Sequence, residues 1–383
     1  MCGNMKYDFY RNPFFKVYAT VENGRVNMHT SGLASKAVKP LLSDMMDMFD
    51  GSKPALVNGE SLVFSTWMPP IPGKAFDRLV SSQMGYMRGK MVPEQVTISI
   101  TEECPNRCLH CALPNTNNRA SLSPEIVKNA IDQCLEMGST LIIFDGGEPL
   151  LYEGLEDLIN YVDNEKAISG LFTSGVGLDF AKALALKEAG LNMLSVSLDS
   201  AFEANHDRMR GRTGVYRAAM SAIENALDVG LLVNIYVVIS PSNIDELDDF
   251  YQLAKDMSVH EITFFEIVPT GRWFDHKDDL LSSGDMQKFN DFIERSNNMS
   301  GPRIFSVPHV LRKMGCFAGK KWLHITPEGN VSPCACIPIS VGNIHEEKIN
   351  KIWDRIRKDP VYKAKTCLMR DDNYRNQYVL KYI

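Results

Sequence analysis

The stretch "QVTISITEECPNRCLHCALP", residues 95 to 114, runs from a β-rich segment straight into three cysteines. Cys104, Cys108 and Cys111 are spaced x3 then x2, and no fourth cysteine stands beside them. A structural zinc site usually takes four protein ligands in paired knuckles. His110 adjoins Cys111 and cannot easily close a tetrahedron with it, so the loop does not supply that set. Three thiolates on one short loop suit a 4Fe-4S cube held at three corners, which leaves one iron open to a small ligand.

The chain of 383 residues is long enough for two or three domains, or for one large barrel with appendages. A net charge of −6 gives no global electrostatic case for nucleic acid, which is not expected as a partner. Charges stand near the N-terminus where a signal peptide needs an apolar run. No stretch reaches the roughly 18 apolar residues of a spanning helix. A cytoplasmic location is therefore expected. Of nine cysteines, seven fall in two groups, which in a reducing compartment reads as metal ligation or catalysis rather than disulfides. Cys2 and Cys134 stand apart.

Six strands are predicted, at 95–100, 140–144, 170–174, 193–199, 233–239 and 261–268, with amphipathic helices between them. The alternation argues for parallel βα units. The helix after the cysteines has Ser123 as N-cap, Pro124 at its first position, Val127, Ala130, Ile131 and Cys134 on one face, and Gly138 as its stop. Cys134 is thereby expected in the core. Residues 1 to about 90 read as α+β: two strand-like runs around the turn Asn23-Gly24, a helical stretch near 33–49, a Pro-broken passage, and a helix bearing Phe76, Leu79, Val80 and Met84. In the last 80 residues, Pro327 to Asn330 make a turn between two short strands.

The cysteine spacing CxxxCxxC after a first strand resembles the signature of the radical S-adenosylmethionine (SAM) enzymes. The resemblance implies an α/β fold built on a partial (βα)6 TIM barrel. It also implies that SAM chelates the open iron and is reductively cleaved to a 5′-deoxyadenosyl radical, which abstracts hydrogen from substrate. An electron donor of flavodoxin or ferredoxin type is implied as a partner. "FDGGEP" carries Gly146, Gly147, Glu148 and Pro149, similar to the family segment that contacts the SAM amino group. Thr173 and Ser174 end the third strand, and Ser197 and Asp199 the fourth, where the family places polar groups around the methionyl and ribose parts. "HDRMRG" resembles the family's HDxxRG stretch and makes Arg210 a candidate partner of the SAM carboxylate by bidentate pairing. All these residues fall at C-terminal strand ends, where barrel enzymes build sites.

A second group comprises Cys316, Cys334, Cys336 and Cys367. Its start is similar to the SPASM and twitch extensions of the family, which bind auxiliary iron-sulfur clusters. A full SPASM pattern has seven cysteines; four are present, which favours a twitch-like arrangement with one auxiliary 4Fe-4S cluster. A four-cysteine zinc knob satisfies the same ligands. The expected organisation is an N-terminal recognition region over residues 1–92, the radical SAM core over 93–300 and the cluster-binding extension over 301–383.

The expected substrate is a peptide or protein side chain, with a lipid, isoprenoid or tetrapyrrole intermediate as the alternative. "IVPTGR", ending at Arg272, resembles a segment of the peptide-maturase and haem-pathway subfamilies. Asn234, Tyr236, Glu266 and Arg272 are the candidates for lining the substrate cavity. Trp67, Met68, Pro69, Pro70 and Ile71, followed by a helix with Lys74, Arg78, Arg88 and Lys90 around its apolar side, lie on a membrane surface, hold a lipid-like substrate or pack on the barrel.

Overall fold

The computed structural model describes residues 5–37, 39, 46–113, 119–276 and 279–382. It opens with strands β1 (Tyr7–Arg11), β2 (Lys16–Glu22) and β3 (Arg25–Ser31), an antiparallel sheet in that order. Asn23 and Gly24 both adopt positive φ, 52° and 72°, as a two-residue hairpin turn between right-twisted strands requires. Within the helical stretch expected near 33–49, residues 35–37, 39 and 46 are helical, and residues 38 and 40–45 lie outside the described residues. A small hairpin, β4 (Leu56–Asn58) with β5 (Ser61–Val63), then leads to helix α1 (Lys74–Met87).

The barrel follows as β6 (Gln95–Thr101), α2 (Pro124–Met137), β7 (Leu141–Gly146), α3 (Leu155–Tyr161), β8 (Ile168–Thr173), α4 (Phe180–Glu188) and β9 (Met193–Ser197). It continues through α5 (Glu203–Arg210), α6 (Val215–Asp228), β10 (Leu232–Ile239), α7 (Leu247–Asp256) and β11 (Glu261–Glu266). After α8 (Ser283–Ser296) come β12 (Arg303–Ser306), α9 (Val307–Met314), β13 (Trp322–Ile325), β14 (Asn330–Ser332), β15 (Gly342–Asn343) and α10 (Ile349–Lys358). The sheet order is β12-β11-β10-β9-β8-β7-β6-β13-β14-β15. The six expected strands are adjacent and parallel. Buried apolar residues from them and from the covering helices form one continuous core.

The helix α2 starts and stops where its caps dictate: the Ser123 side chain accepts from the Ile126 amide, and Gly138 closes the helix at φ 112°. Cys134 lies in the core, where burial pushes its thiol up to about 12. The sheet does not end at residue 300. β12 pairs parallel with β11, and β13 pairs parallel with β6, so the C-terminal third adds a strand at each flank of the six.

The Pro-rich passage packs on the barrel, with Trp67, Met68 and Pro70 half-buried. Ile71 is fully buried, and the Trp67 indole enters the barrel, with ring centroids 5.8 Å from Phe172, 6.2 Å from Tyr236 and 5.9 Å from Phe305. Its Nε1 donates to Thr263 Oγ1 at 2.8 Å. The hydroxyls of Ser65 and Thr66 donate to Glu261 Oε1, and Glu261 also pairs with Arg303 at 3.1 Å. A buried carboxylate needs such partners, so the passage is keyed to the barrel by polar as well as apolar contacts. Lys74 and Arg78 of α1 likewise pair with the barrel, through Glu165 and the Leu135 carbonyl.

Candidate functional site

The residues after β6 turn across the C-terminal mouth of the barrel as the cysteine loop. Three backbone hydrogen bonds and one from a side chain hold that loop. Arg107 and Leu109 donate their amides to the carbonyls of Arg210 and Met209 at the end of α5, both at 2.9 Å. Arg272 donates its amide to the Cys111 carbonyl at 3.0 Å and its Nη1 to the Cys108 carbonyl at 3.2 Å. Close approach demands glycine at two of these seams: a Cβ on Gly211 would lie 2.5 Å from the Arg107 carbonyl oxygen, and one on Gly271 would lie 2.1 Å from that of Cys111.

A cavity of about 1620 Å³ opens at this mouth. Cys104, Cys108, Cys111, Gly146, Gly147, Thr173, Ser174, Ser197 and Arg210 line it, and so do Cys334 and Cys336 of the second group. The structure thus brings both cysteine groups onto one shared cavity. Pro149 is buried outside the lining, as are Glu148 and Asp199, which are 0% and 1% exposed. The Glu148 carboxylate accepts from Thr173 Oγ1 at 2.6 Å and from the Ser174 amide and hydroxyl at 2.9 and 2.5 Å. Glu148 therefore shapes the end of β8 rather than reaching into the cavity. Burial raises its pKa, opposed by those same donors.

Asp199 is held by a guanidinium and an imidazole. Its Oδ2 lies 2.7 Å from Arg210 Nε and 2.8 Å from His110 Nε2. Burial would raise its pKa, but the charges of Arg210 and then His110 outweigh burial and hold the carboxyl well below its ordinary range. Arg210 also directs Nη1 at Cys108 Sγ, 3.7 Å away. In the sequence His110 stands out only as a poor zinc ligand. Its partner stands 89 residues away, so nothing local announced the pair.

The thiols suit a cationic iron cluster. Burial pushes Cys104 up to about 11, raises Cys111 with a further contribution from Cys108, and pushes Cys367 up to about 12. Ligation would supply the positive partner that burial withholds and would release those protons. In the second group Cys316, Cys334 and Cys367 influence one another electrostatically, and the Cys336 amide donates to Cys334 Sγ at 3.3 Å. Among the described residues, no three His, Cys, Asp or Glu side chains form a single-ion site.

Two of the four cavity candidates are in place, since Tyr236 and Arg272 line the cavity. Asn234 does not. It is fully buried beneath Tyr236, donating to Ser195 Oγ at 2.8 Å and accepting from Thr263 Oγ1 at 3.0 Å. Glu266 is likewise outside the lining and pairs with Arg370 of the C-terminal extension. A carboxylate that the sequence reading passed over, Asp145, faces the cavity from the end of β7 and accepts from Ser99 Oγ at 2.6 Å. The remaining wall is largely apolar and aromatic, with Phe9, Phe64, Trp67, Phe172 and Phe305 among its members.

The Radical SAM superfamily matches residues 98–254, and the iron-sulfur cluster-binding SPASM domain matches residues 316–377. The chain is 26% identical over 289 residues to an AdoMet-dependent heme synthase of Methanosarcina barkeri, covering 68% of this chain and 82% of that one. It is 25% identical over 274 residues to a PqqA peptide cyclase of Gluconobacter oxydans, covering 68% and 76%. Among solved structures, Streptococcus suis SuiB bound to precursor peptide SuiA is similar with a TM-score of 0.62 at 11% identity, covering 94% of this chain and 90% of SuiB. The enzyme anSMEcpe with bound AdoMet gives 0.54 at 18% identity, covering 68% and 80%. At such identities the structural likeness is one of fold.

Proposed function

Because the chain belongs to the radical SAM superfamily and carries a SPASM-type cluster-binding extension, we propose that it modifies a peptide or protein side chain held in the cavity between its two cysteine groups. The observation that carries this reading is the shared cavity: about 1620 Å³ bounded at once by Cys104, Cys108 and Cys111 and by Cys334 and Cys336. The peptide-acting names of a curated relative and a solved neighbour support it. The largely apolar wall and the heme synthase relative favour a second reading, a tetrapyrrole intermediate.

The enzyme's cofactors are a SAM-binding 4Fe-4S cluster, an auxiliary iron-sulfur cluster and SAM. When bound, they supply a carbon-centred radical that abstracts hydrogen from substrate. In our reading Cys104, Cys108 and Cys111 hold the first cluster, and Cys316, Cys334, Cys336 and Cys367 the second. Gly146, Gly147, Thr173, Ser174, Ser197 and Arg210 form the SAM cradle, with Glu148, Pro149 and Asp199 bracing it from behind. Gly146 and Gly147 let the end of β7 lie against the backbone leading into the cysteine loop, since a Cβ on either would collide with the carbonyl oxygens of Thr101 and Glu103. The aromatic wall and the Trp67 plug keep water from the reacting carbon.

We assign residues 93–300 to catalysis, 301–383 to the extension and 1–92 to substrate recognition, with a reducing flavodoxin- or ferredoxin-type donor. Among the described residues no helix is long and apolar enough to cross a membrane. We place the enzyme in the cytoplasm, where its thiols stay reduced.

The test is anaerobic. Reconstituted protein with dithionite should convert SAM to 5′-deoxyadenosine, and any short peptide encoded beside the gene should emerge with a changed mass. Conversion of an iron tetrapyrrole instead, with every such peptide unchanged, would overturn the peptide reading. No SAM consumption at all would overturn both.

A further inference from the structure

The ion pairs behind the cysteine loop form a closed circuit. Asp199 is 1% exposed and carries both Arg210 and His110 on one oxygen, Oδ2. Arg210 continues to Cys108 Sγ, and His110 lies on the loop between Cys108 and Cys111. The backbone of Asp199 is pinned as well: its amide donates to His206 Nδ1 at 3.1 Å, and its carbonyl accepts from Asn243 Nδ2 at 2.9 Å. A carboxylate fixed this firmly at the end of β9 cannot swing to follow a ligand. It holds two groups of the cysteine loop and of α5 at a set distance from each other.

The charge balance is equally constrained. Arg210 stands beside Cys108 as a cation, and Asp199 neutralises it from the far side. The reduction potential of an iron-sulfur cluster responds to nearby net charge and to hydrogen bonds on its sulfurs. A buried negative charge disfavours adding an electron, and an uncompensated guanidinium favours it.

Resting on the assignment of Cys104, Cys108 and Cys111 as cluster ligands, we propose that Asp199 is a positioning residue for the cysteine loop. Through Arg210 and His110 it fixes the loop's shape and the charge offered to Cys108, and so keeps the potential of the bound cluster low. SAM cleavage requires a strongly reducing electron, so a low potential serves the reaction.

The test uses Asp199→Asn, which keeps the shape and removes the charge. Iron content and an electron-paramagnetic-resonance-monitored redox titration are read with the full-length protein, wild type and variant side by side. The C-terminal four cysteines are replaced by Ala in both, so that only one cluster reports. Asp199→Asn should shift the midpoint to a more positive potential. The charge-balanced variant Asp199→Asn/Arg210→Gln should bring it back toward wild type, which a purely structural role would not do. If Asp199→Asn fails to load iron, recovery of loading in the double variant supports the proposal. An unchanged midpoint in Asp199→Asn, or failure of the double variant to restore either loading or midpoint, overturns it. Absence of any cluster signal from the unaltered Cys104–Cys111 loop overturns the ligand assignment itself, a separate outcome.

Discussion

The Thr270 hydroxyl donates to the Cys336 carbonyl at 2.8 Å, tying the end of the sixth barrel strand to the second cysteine group. Two residues later Arg272 grips the first group through the Cys108 and Cys111 carbonyls. One short strap thus spaces both cysteine groups, and Gly271 is its centre at φ 50°. In Gly271→Ala the added methyl would meet the Cys111 carbonyl oxygen at 2.1 Å, and its backbone would be strained besides. Overpacking of this kind costs about 1–3 kcal/mol. We expect a folded protein with reduced iron at the first group and SAM cleavage lowered at least tenfold. Wild-type 5′-deoxyadenosine production by this variant would show that the strap does not set the loop.

Glu148 spends its carboxylate on Thr173 and Ser174, so its removal should act through them. Glu148→Ala leaves two hydroxyls and an amide without their buried acceptor, a cost of about 1–3 kcal/mol per group. SAM affinity, measured by equilibrium titration of the reconstituted protein, should fall more than iron content does. Equal losses of both would mean that Glu148 serves only the fold.

How far the sequence is legible depends on the length scale of each signal. The six strands are readable because each is a run of β-branched or apolar residues bounded by turn residues, and α2 because its caps are explicit. The strand at Arg303–Ser306 is not, since four residues, only two of them apolar, carry no periodicity. Alternation correctly turns both Asn234 and Tyr236 toward the barrel interior, yet it contains no information about depth. The lower layer is filled by Trp67 and Thr263, arriving from sites about 170 residues before and 30 after, so only Tyr236 reaches the cavity. The Asp199–Arg210–His110 circuit is invisible for the same reason: ion pairs follow topology, and topology is not local.

Trp67 closes the barrel from the N-terminal side, so it should matter to substrate more than to radical formation. Trp→Ala at a well-packed site costs about 3–5 kcal/mol, and less where, as here, the residue is partly exposed. Trp67→Phe keeps most of the packing while losing the hydrogen bond to Thr263. We expect Trp67→Phe to cleave SAM at near wild-type rate without substrate, and Trp67→Ala to form more 5′-deoxyadenosine per product than wild type. A ratio unchanged in Trp67→Ala would remove the plug from the substrate's surroundings.

His206 is fully buried, and burial, followed by the charge of Arg210, lowers its pKa to about 4. A depressed pKa means that the native ring stays neutral while the unfolded one takes up a proton near pH 6.5. Its contribution to stability is therefore complete above about pH 6.5 and is lost as pH falls toward 4, on the order of 3 kcal/mol in all. His206→Gln keeps an acceptor for the Asp199 amide and does not titrate. Between pH 7 and 4.5, urea midpoints of His206→Gln should fall less steeply than those of wild type. Parallel slopes would mean that the ring is already protonated in the native protein.

The assignment of Cys316, Cys334, Cys336 and Cys367 to one cluster is tested most directly by counting metal. Two cubane clusters would give wild type about eight irons per chain. Replacing Cys104, Cys108 and Cys111 together by Ala should leave about four, and replacing the C-terminal four should leave a similar number. The two depleted proteins should then differ in kind. The first should not consume SAM, because the open iron is gone. The second should still cleave SAM without substrate but fail to turn substrate over, because Cys334 and Cys336 border the cavity that would hold it. Cys336 needs its own substitution: its carbonyl accepts from Thr270 and its amide donates to Cys334, contacts that Cys336→Ser preserves while removing the thiol. If Cys336 is a ligand, Cys336→Ser lowers iron at the second group. If iron is undiminished, the residue serves the strap through its backbone alone. A C-terminal group that binds one tightly held zinc and no iron in the triple N-terminal variant would replace the cluster assignment of these four cysteines with a zinc knob.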